Sequence, residues 1–487
     1  MTQNDRKYLR LSPPLEVPDA LNQLKLLQRW DKLRILHVGN IANNAYLAAL
    51  AERKVGIEAY VLSVDYTHIM GSPEWEHCKI SRSVNKHFST DFSDCKCDYK
   101  RPNWFYQGSM SEIEKSLFSE LVKGTSLEMK RGFATTIEFY LDLNRLFNFG
   151  VSMFWKFLRP IGRKLIPLKM RAYFVGYLAY FLKKKSEIDL SRLFQQFDIV
   201  NLYGSSTSII SSYSVEESKN SNFVATEHGT LRDYIHADYP LSKDVKSGYE
   251  KSRIILVTNQ DCLPIAYEMK KSNAFAMPHP INDTDFLDLR KKRALSNRSK
   301  QSIVLIPSRH SVSLDIDRGK GNQVVYDLIR MCADKGDLFK FRLIEWGDNV
   351  DAAKKFLINE ERAGFVEWVN VKSRPLLKES MIESLCVLDQ FLIEAYGAVT
   401  ADAIGLGVPV ITAHSCENDI NFFGSCAPVL TAKTAIEIRS HLNSLISRSD
   451  EQISIAFRES TDWFDQNLSS NVGLVKRLQG YLVSYAD

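Results

Sequence analysis

Short apolar runs, each about the length of one strand, recur along the chain between polar stretches that contain glycine. Leu33-Arg34-Ile35-Leu36-His37-Val38 is the first. It enters Gly39-Asn40-Ile41-Ala42-Asn43-Asn44 and then a helical stretch over residues 45–53. Residues 57–64 form the next strand pattern. The rhythm lapses from residue 65 to about 187 and returns at 197–204, 222–226 and 253–258. Apolar strands alternating with helical stretches predict a parallel sheet with crossover helices.

Residues 283–301 are polar and charged, without a strand pattern, and mark a domain boundary. A second series follows, with strands expected at 302–307, 341–346, 365–369, 390–393 and 409–412, and helices from 435 to 486. The expected architecture is α/β: two facing, doubly wound, Rossmann-like parallel-sheet domains. The first covers residues 1–285 and carries a helical, basic insertion at about 66–187. The second covers 286–487. Their strand ends would line a shared cleft, which suits a ligand-bearing site.

Composition narrows this little. The chain has 487 residues, 45% apolar and 25% charged, which is ordinary for a soluble protein of two or three domains. A net charge of +5 points to no nucleic-acid partner. The eight cysteines are scattered, mostly in apolar surroundings such as Leu385-Cys386-Val387, and read as reduced, buried thiols of a cytosolic protein. Cys95-Lys96-Cys97 is too tight for the usual zinc spacing. The polar N-terminus is unlike a secretory signal. No run approaches the roughly 18–20 apolar residues of a membrane span. The expected location is the cytoplasm.

The chemistry concentrates in the second domain. Phe391-Leu392-Ile393-Glu394-Ala395-Tyr396-Gly397-Ala398-Val399 reads as a strand ending at a carboxylate, then a glycine turn, then a helix that carries Asp402. A helix N-terminus there presents unpaired N–H groups and a positive dipole to an anion. Taken alone, Glu394 reads equally as a helix-capping carboxylate and Asp402 as an exposed helix residue. Earlier, the strand at 302–307 leads to Ser308-Arg309-His310, and Arg318-Gly319-Lys320-Gly321 follows. Arg309 supplies a planar fork for phosphate oxygens and Lys320 a mobile point charge. By itself the same loop is also compatible with a solvated basic surface. His228, followed by Gly229, is either a structural histidine or a cleft residue approached closely by a ligand.

Ser308-Arg309, Gly319-Lys320-Gly321, Asp389, Glu394 with Asp402 eight residues on, and Gly405-x-Gly407-Val408-Pro409-Val410 together resemble glycosyltransferase family 4. Looser matches in the first domain are the Gly39 loop, Thr226-Glu227-His228-Gly229-Thr230 and Met277-Pro278-His279-Pro280. The resemblance implies a GT-B fold and a retaining, metal-independent hexosyltransferase. The donor would be a nucleotide sugar, a UDP-sugar foremost, with no further cofactor. Arg309 and Lys320 would bind the donor diphosphate and Glu394 the sugar hydroxyls. Gly397, Ala398 and Val399 would offer backbone N–H groups, and Asp402 would take the place of a ribose-binding glutamate. His228 would sit near the transferred sugar, and Gly39 would line the donor site from the first domain. The chain departs from the family pattern in three places: Asp402 is one methylene shorter than the usual glutamate, the loop between Arg309 and Lys320 is longer, and the Gly39 loop lacks a second adjacent glycine.

Residues 151–185 carry basic residues from Lys156 to Lys185, many aromatics, and no Asp or Glu. This fits either a segment on an anionic membrane face or a helical hairpin packed on the first domain. The first alternative would seat the protein peripherally on the inner face of the cell membrane. The expected acceptor is a glycan or lipid-linked oligosaccharide of cell-surface polysaccharide or glycolipid synthesis. Rival readings on the same fold are a nucleotide-sugar epimerase or phosphorylase, or a non-catalytic nucleotide-sugar-binding protein.

Overall fold

The computed structural model describes residues 33–64, 69–83, 97–108, 191–214, 222–238, 240–270, 273–295, 302–311, 319–395 and 397–486. The first domain contributes β1 (Arg34–Val38), β2 (Glu58–Val64), β3 (Ser81–Arg82), β4 (Phe105–Gly108), β5 (Ile199–Tyr203), β6 (Phe223–Glu227), β7 (Ile254–Val257) and β8 (Ala274–Ala276). The second contributes β9 (Ile303–Ile306), β10 (Lys340–Ile344), β11 (Val366–Val369), β12 (Val371–Lys372), β13 (Cys386–Leu388), β14 (Val410–Thr412) and β15 (Leu430–Thr431). The helices that matter below are α1 (Asn44–Lys54), α2 (Thr230–Tyr234), α3 (Asn322–Lys335), α4 (Arg374–Ile382), α5 (Ala398–Gly405), α6 (Cys416–Phe423) and α7 (Ser470–Ala486).

Two parallel sheets form as expected. Their orders are β4-β2-β1-β5-β6-β7-β8 and β11-β10-β9-β13-β14-β15. Strands covered on both faces can be apolar throughout. Ile254, Ile255, Leu256 and Val257 of β7 are all fully buried, as are Val304, Leu305 and Ile306 of β9. In each sheet the chain first runs one way from the central strand and then resumes on its other side. The reversal falls between β1 and β5, where Leu36 pairs with both Tyr60 and Val200, and between β9 and β13, where Val304 pairs with Cys386. These reversals open a crevice at the carboxyl ends of the strands.

The two domains are stitched together by chain from each side. β3 pairs antiparallel with β12, matching Arg82 with Val371. The Ser373 N–H donates to the Ile80 carbonyl at 2.8 Å, and the Ile80 N–H donates to Ser373 Oγ at 2.9 Å. Trp75 is buried in the core of the second domain with Phe286, Met381 and Ile404. So residues 69–83, expected in a helical insertion, make a strap onto the second domain. Residues 105–108, expected in the same insertion, form the edge strand β4. The basic stretch 151–185 lies outside the described residues.

Three further expectations are corrected. The apolar run 390–393 is a loop, and the strand is the shorter Cys386–Leu388 before it. Phe391 is buried because it closes over Gly321, while Leu392 is 41% exposed. The last helix, α7, leaves the second domain: Leu474, Leu478 and Tyr481 share a core with Ile35, Tyr46 and Leu256. Finally, among the described residues Cys78–Cys97 and Cys416–Cys426 are paired, while Cys262, Cys332 and Cys386 are free and buried. Reduced buried thiols therefore describe only part of the set. Folding brings together cysteines 19 and 10 residues apart, with Cα separations of 6.1 and 5.0 Å.

Among the described residues no helix is long and apolar enough to cross a membrane.

Candidate active site

The second-domain switch point is built from two loops. One follows β9 and carries Ser308, Arg309, Lys320 and Gly321; the other follows β13 and carries Asp389 to Gly397. They are tied at several points. Phe391 N–H donates to the Lys320 carbonyl at 3.0 Å, and Lys320 Nζ donates to Gln390 Oε1 at 2.5 Å. Gly321 has φ +69°, and a Cβ there would lie 2.9 Å from Phe391 Cβ, so glycine is required for the approach. Asp389 is the hub beneath. It accepts from Ser308 Oγ through its carbonyl at 2.5 Å and from Thr400 Oγ1 through Oδ2 at 2.7 Å. Thr400 lies in the first turn of α5, so Asp389 fixes the N-terminus of that helix over the strand ends.

This geometry crowds positive charge. Lys320 is held below the ordinary lysine range, first by burial and then by the guanidinium groups of Arg309 and Arg232, against the opposing pull of Asp389. An anion seated between these cations would relieve the repulsion. Gly397, Ala398 and Val399 begin α5 with partly exposed residues. Glu394 is partly exposed on the same loop and pairs with Lys433.

The first-domain switch point faces this one. Gly39 follows β1 with φ +91°, and a Cβ there would lie 2.6 Å from Ser206 Oγ and 3.3 Å from the Tyr203 carbonyl. His228 follows β6. Its turn is shaped by buried Glu227, whose Oε1 accepts from the N–H groups of Gly229 at 2.5 Å and Leu231 at 3.1 Å. The His228 ring is partly exposed as a whole, but Nε2 is shielded from solvent and has no protein partner. Burial, with the nearby charge of Arg232, lowers its pKa to about 4, so the ring is neutral near pH 7. His279 is likewise lowered, to about 3, by burial and by His228, Arg232 and Arg374. Its Nε2 is hydrogen-bonded to Asn259 Oδ1 at 2.9 Å. His37, by contrast, is a core residue bonded to Glu52 at 2.7 Å and Tyr203 at 3.0 Å.

Asp402 is placed differently from an open ribose ligand. It is 2% exposed and takes both of its hydrogen bonds from Arg374, at 2.8 Å each. Arg374 Nη1 also lies 3.5 Å from Glu76 Oε1, and Asn43 of the Gly39 loop approaches the same oxygen at 3.5 Å. A chain of polar groups thus runs from the Gly39 loop through Glu76 and Arg374 to α5. Burial is the largest influence on Glu76 and raises its pKa, while Arg374 and Lys378 pull it down.

The structure therefore gathers Arg309, Lys320, Glu394, Gly397, Ala398 and Val399 at one switch point and Gly39 and His228 at the other. Asp402 stands one layer behind. Sequence reasoning missed Arg374, Glu76 and Arg232. Arg232 had a legible signal, since it is a basic residue at the start of the helix that follows the His228-Gly229 turn. Among the described residues, one group of potential metal ligands lies within 4.8 Å: His414, Asp419 and Cys426. Cys426 is joined to Cys416, and Asp419 Oδ2 is bonded to His414 at 2.7 Å and to the Ala427 N–H at 2.8 Å.

No protein-family model matches the chain, and no curated protein matches it in sequence. Solved structures do match in shape. The N-terminal domain of trehalose-6-phosphate phosphatase from Candida albicans is 10% identical with a TM-score of 0.55, over 93% of this chain and 97% of that one. The catalytic domain of starch synthase IV from Arabidopsis thaliana, bound to ADP and acarbose, is 10% identical with a TM-score of 0.52, over 94% and 100%. A mutant of S. aureus TarM bound to fondaparinux, alpha-GlcNAc-glycerol and UDP is 13% identical with a TM-score of 0.45. That match covers 60% of this chain and 57% of the TarM chain. At these identities the likeness of the trehalose-6-phosphate phosphatase and starch synthase domains shows the fold alone, which is GT-B: two facing Rossmann-like domains.

Proposed function

We propose that this chain is a retaining, metal-independent glycosyltransferase of the family-4 type. It moves a hexose from a nucleotide sugar, a UDP-sugar foremost, to a glycan or lipid-linked acceptor of cell-surface polysaccharide or glycolipid synthesis. The observation that carries this reading is the pairing of two switch points. One bears a crowded cationic pair and an open helix N-terminus, and the other bears a neutral histidine with an unpartnered nitrogen.

In this reading Arg309, Lys320 and the N–H groups opening α5 stabilise the leaving diphosphate, where negative charge develops as the glycosidic bond breaks. The transition state is oxocarbenium-like. Glu394 exchanges Lys433 for the sugar hydroxyls. His228, neutral at working pH, offers Nε2 to the transferred sugar from the acceptor side. Asp402 acts through Arg374 to hold α5, so ribose recognition falls to other groups. The basic stretch 151–185 would bring the protein to an anionic membrane face on the cytoplasmic side.

A thermal-shift screen with UDP-, GDP- and ADP-linked sugars tests the donor assignment, because a ligand that binds the folded state raises apparent stability by mass action. Stabilisation by one nucleotide class, retained in EDTA and lost in Lys320→Gln, is expected. No shift with any nucleotide sugar would remove the basis of the reading.

A further inference from the structure

We propose that Arg232 is an anion-binding residue of the first domain. It closes onto a phosphoryl oxyanion held by Arg309 and Lys320 of the second domain, and so couples ligand binding to closure of the cleft. The inference rests on the glycosyl-transfer reading of the same cleft and adds a residue from the opposite wall.

Three placements carry it. First, α2 starts two residues after His228 and sets Arg232 just past the carboxyl end of β6, beside Leu231, which shares a core with Phe422 of the second domain. Second, Asp261 holds the guanidinium from one side through Nε and Nη2, the latter at 2.5 Å. This orients the plane and leaves Nη1 turned toward the His228 turn. Third, that turn is cut away to make room. Gly229 has φ +106°, and a Cβ there would lie 2.6 Å from Arg232 Nη1. A fork fixed on one edge with an open nitrogen on the other suits an oxyanion better than a rotating lysine would.

The electrostatics agree with the geometry. The charge of Arg232 depresses the pKa of Lys320 across the cleft and those of His228 and His279 on its own side. Arg232 therefore sits amid all three. Asp261 offsets part of its charge, and Asp389 offsets part of that on Lys320. The Asp389 carboxylate also accepts from Ser308 Oγ through Oδ1 at 3.3 Å and from Thr400 Oγ1 through Oδ2 at 2.7 Å, so it is shared. An anion bridging Arg232 and Lys320 turns their repulsion into two attractions, and it can do so only when both domains reach it.

The oxyanion could belong to the donor diphosphate or to a phosphate on the acceptor. Calorimetric titration of the full chain with inorganic pyrophosphate, and with orthophosphate in saturating pyrophosphate, separates the two. Arg232→Gln is expected to weaken one of these probes about tenfold, the loss typical of one charge-assisted hydrogen bond. Weaker pyrophosphate binding assigns Arg232 to the donor. Loss of the second, orthophosphate site alone assigns it to the acceptor. Asp261→Asn, which keeps the arginine, should retain either probe. Should Arg232→Gln fold poorly, Arg232→Lys serves, with the same weakening expected from loss of the fork. Wild-type affinity for both probes in a folded Arg232 variant overturns the inference. Arg309→Gln is the reference: if it loses pyrophosphate while Arg232 variants do not, the diphosphate site stands and only the role of Arg232 fails.

Discussion

Arg374 grips Asp402 through two parallel hydrogen bonds of 2.8 Å, and both side chains are buried between the domains. Removing one partner of such a pair leaves an uncompensated buried charge, at a cost of about 3–5 kcal/mol. Arg374→Met should therefore lower stability by that order in a denaturant titration, with Glu76 and Asp402 both stranded. Asp402→Asn should lower stability while leaving the donor KM nearly unchanged. A raised donor KM in Asp402→Asn at wild-type stability would return Asp402 to direct ribose contact.

Lys320 presents the opposite balance. Its charge is disfavoured by burial and by two arginines, so the folded protein gains little from it. Lys320→Gln should leave the melting temperature unchanged or slightly higher. The same change should lower kcat by about 100- to 1000-fold, the usual loss when one stabilising donor is removed from a transition state. Destabilisation with near-normal turnover would show that the lysine is structural.

The His228 turn depends on glycine for conformation and for space. Gly229→Ala strains a φ of +106° and crowds Arg232, whereas Gly336→Ala strains a φ of +70° with nothing within 4 Å. Left-handed backbone at a residue with a Cβ costs about 1–2 kcal/mol. Gly336→Ala should lose that amount and keep activity. Gly229→Ala should lose at least as much and also most of its activity. Equal effects of both on turnover would mean that the space beside Arg232 is unimportant.

Histidine burial predicts an acid response. His310 lies wholly in the second core, bonded to Tyr326 and the Ile344 carbonyl, and burial lowers its pKa from 6.5 to about 4. Between those values the unfolded chain binds the proton and the folded chain does not. Stability therefore rises with pH across that window and is lost as pH falls below about 6.5. The slope is at most about 1.4 kcal/mol per pH unit for one histidine. His310→Gln should be less stable at pH 7 but should show a shallower fall between pH 6.5 and 5. An unchanged slope would contradict the buried, neutral state.

Much of the fold was legible because parallel strands buried on both faces are apolar without interruption, as in Ile254-Ile255-Leu256-Val257. The error at 390–393 has the same origin. Phe391-Leu392-Ile393 is as apolar as Leu385-Cys386-Val387-Leu388, and periodicity alone does not separate a strand from a loop closing over a glycine. The loops of the candidate site were legible because they follow strands: Arg309 and Lys320 lie on the loop after β9, Glu394 on the loop after β13, and His228 directly after β6. Arg374 was not, because its partner lies 28 residues away and Glu76 in the other domain. In sequence it is only a basic residue opening a helix before Pro375. The cysteine pairs were hidden for the same reason, since contact between residues well apart in the chain leaves no local pattern.

Glycosyl transfer itself is tested most directly by following a nucleotide sugar through the reaction. The protein is incubated with UDP-, GDP- and ADP-linked hexoses, with and without glycan acceptors. Phosphorus NMR reads the released nucleoside diphosphate, and proton NMR reads the anomeric centre of the sugar product. The expected result is release of one nucleoside diphosphate with the sugar transferred in its original anomeric configuration, slowed about 100- to 1000-fold by Lys320→Gln. A donor that is epimerised without release of its diphosphate, or a transferred sugar of inverted configuration, would contradict it.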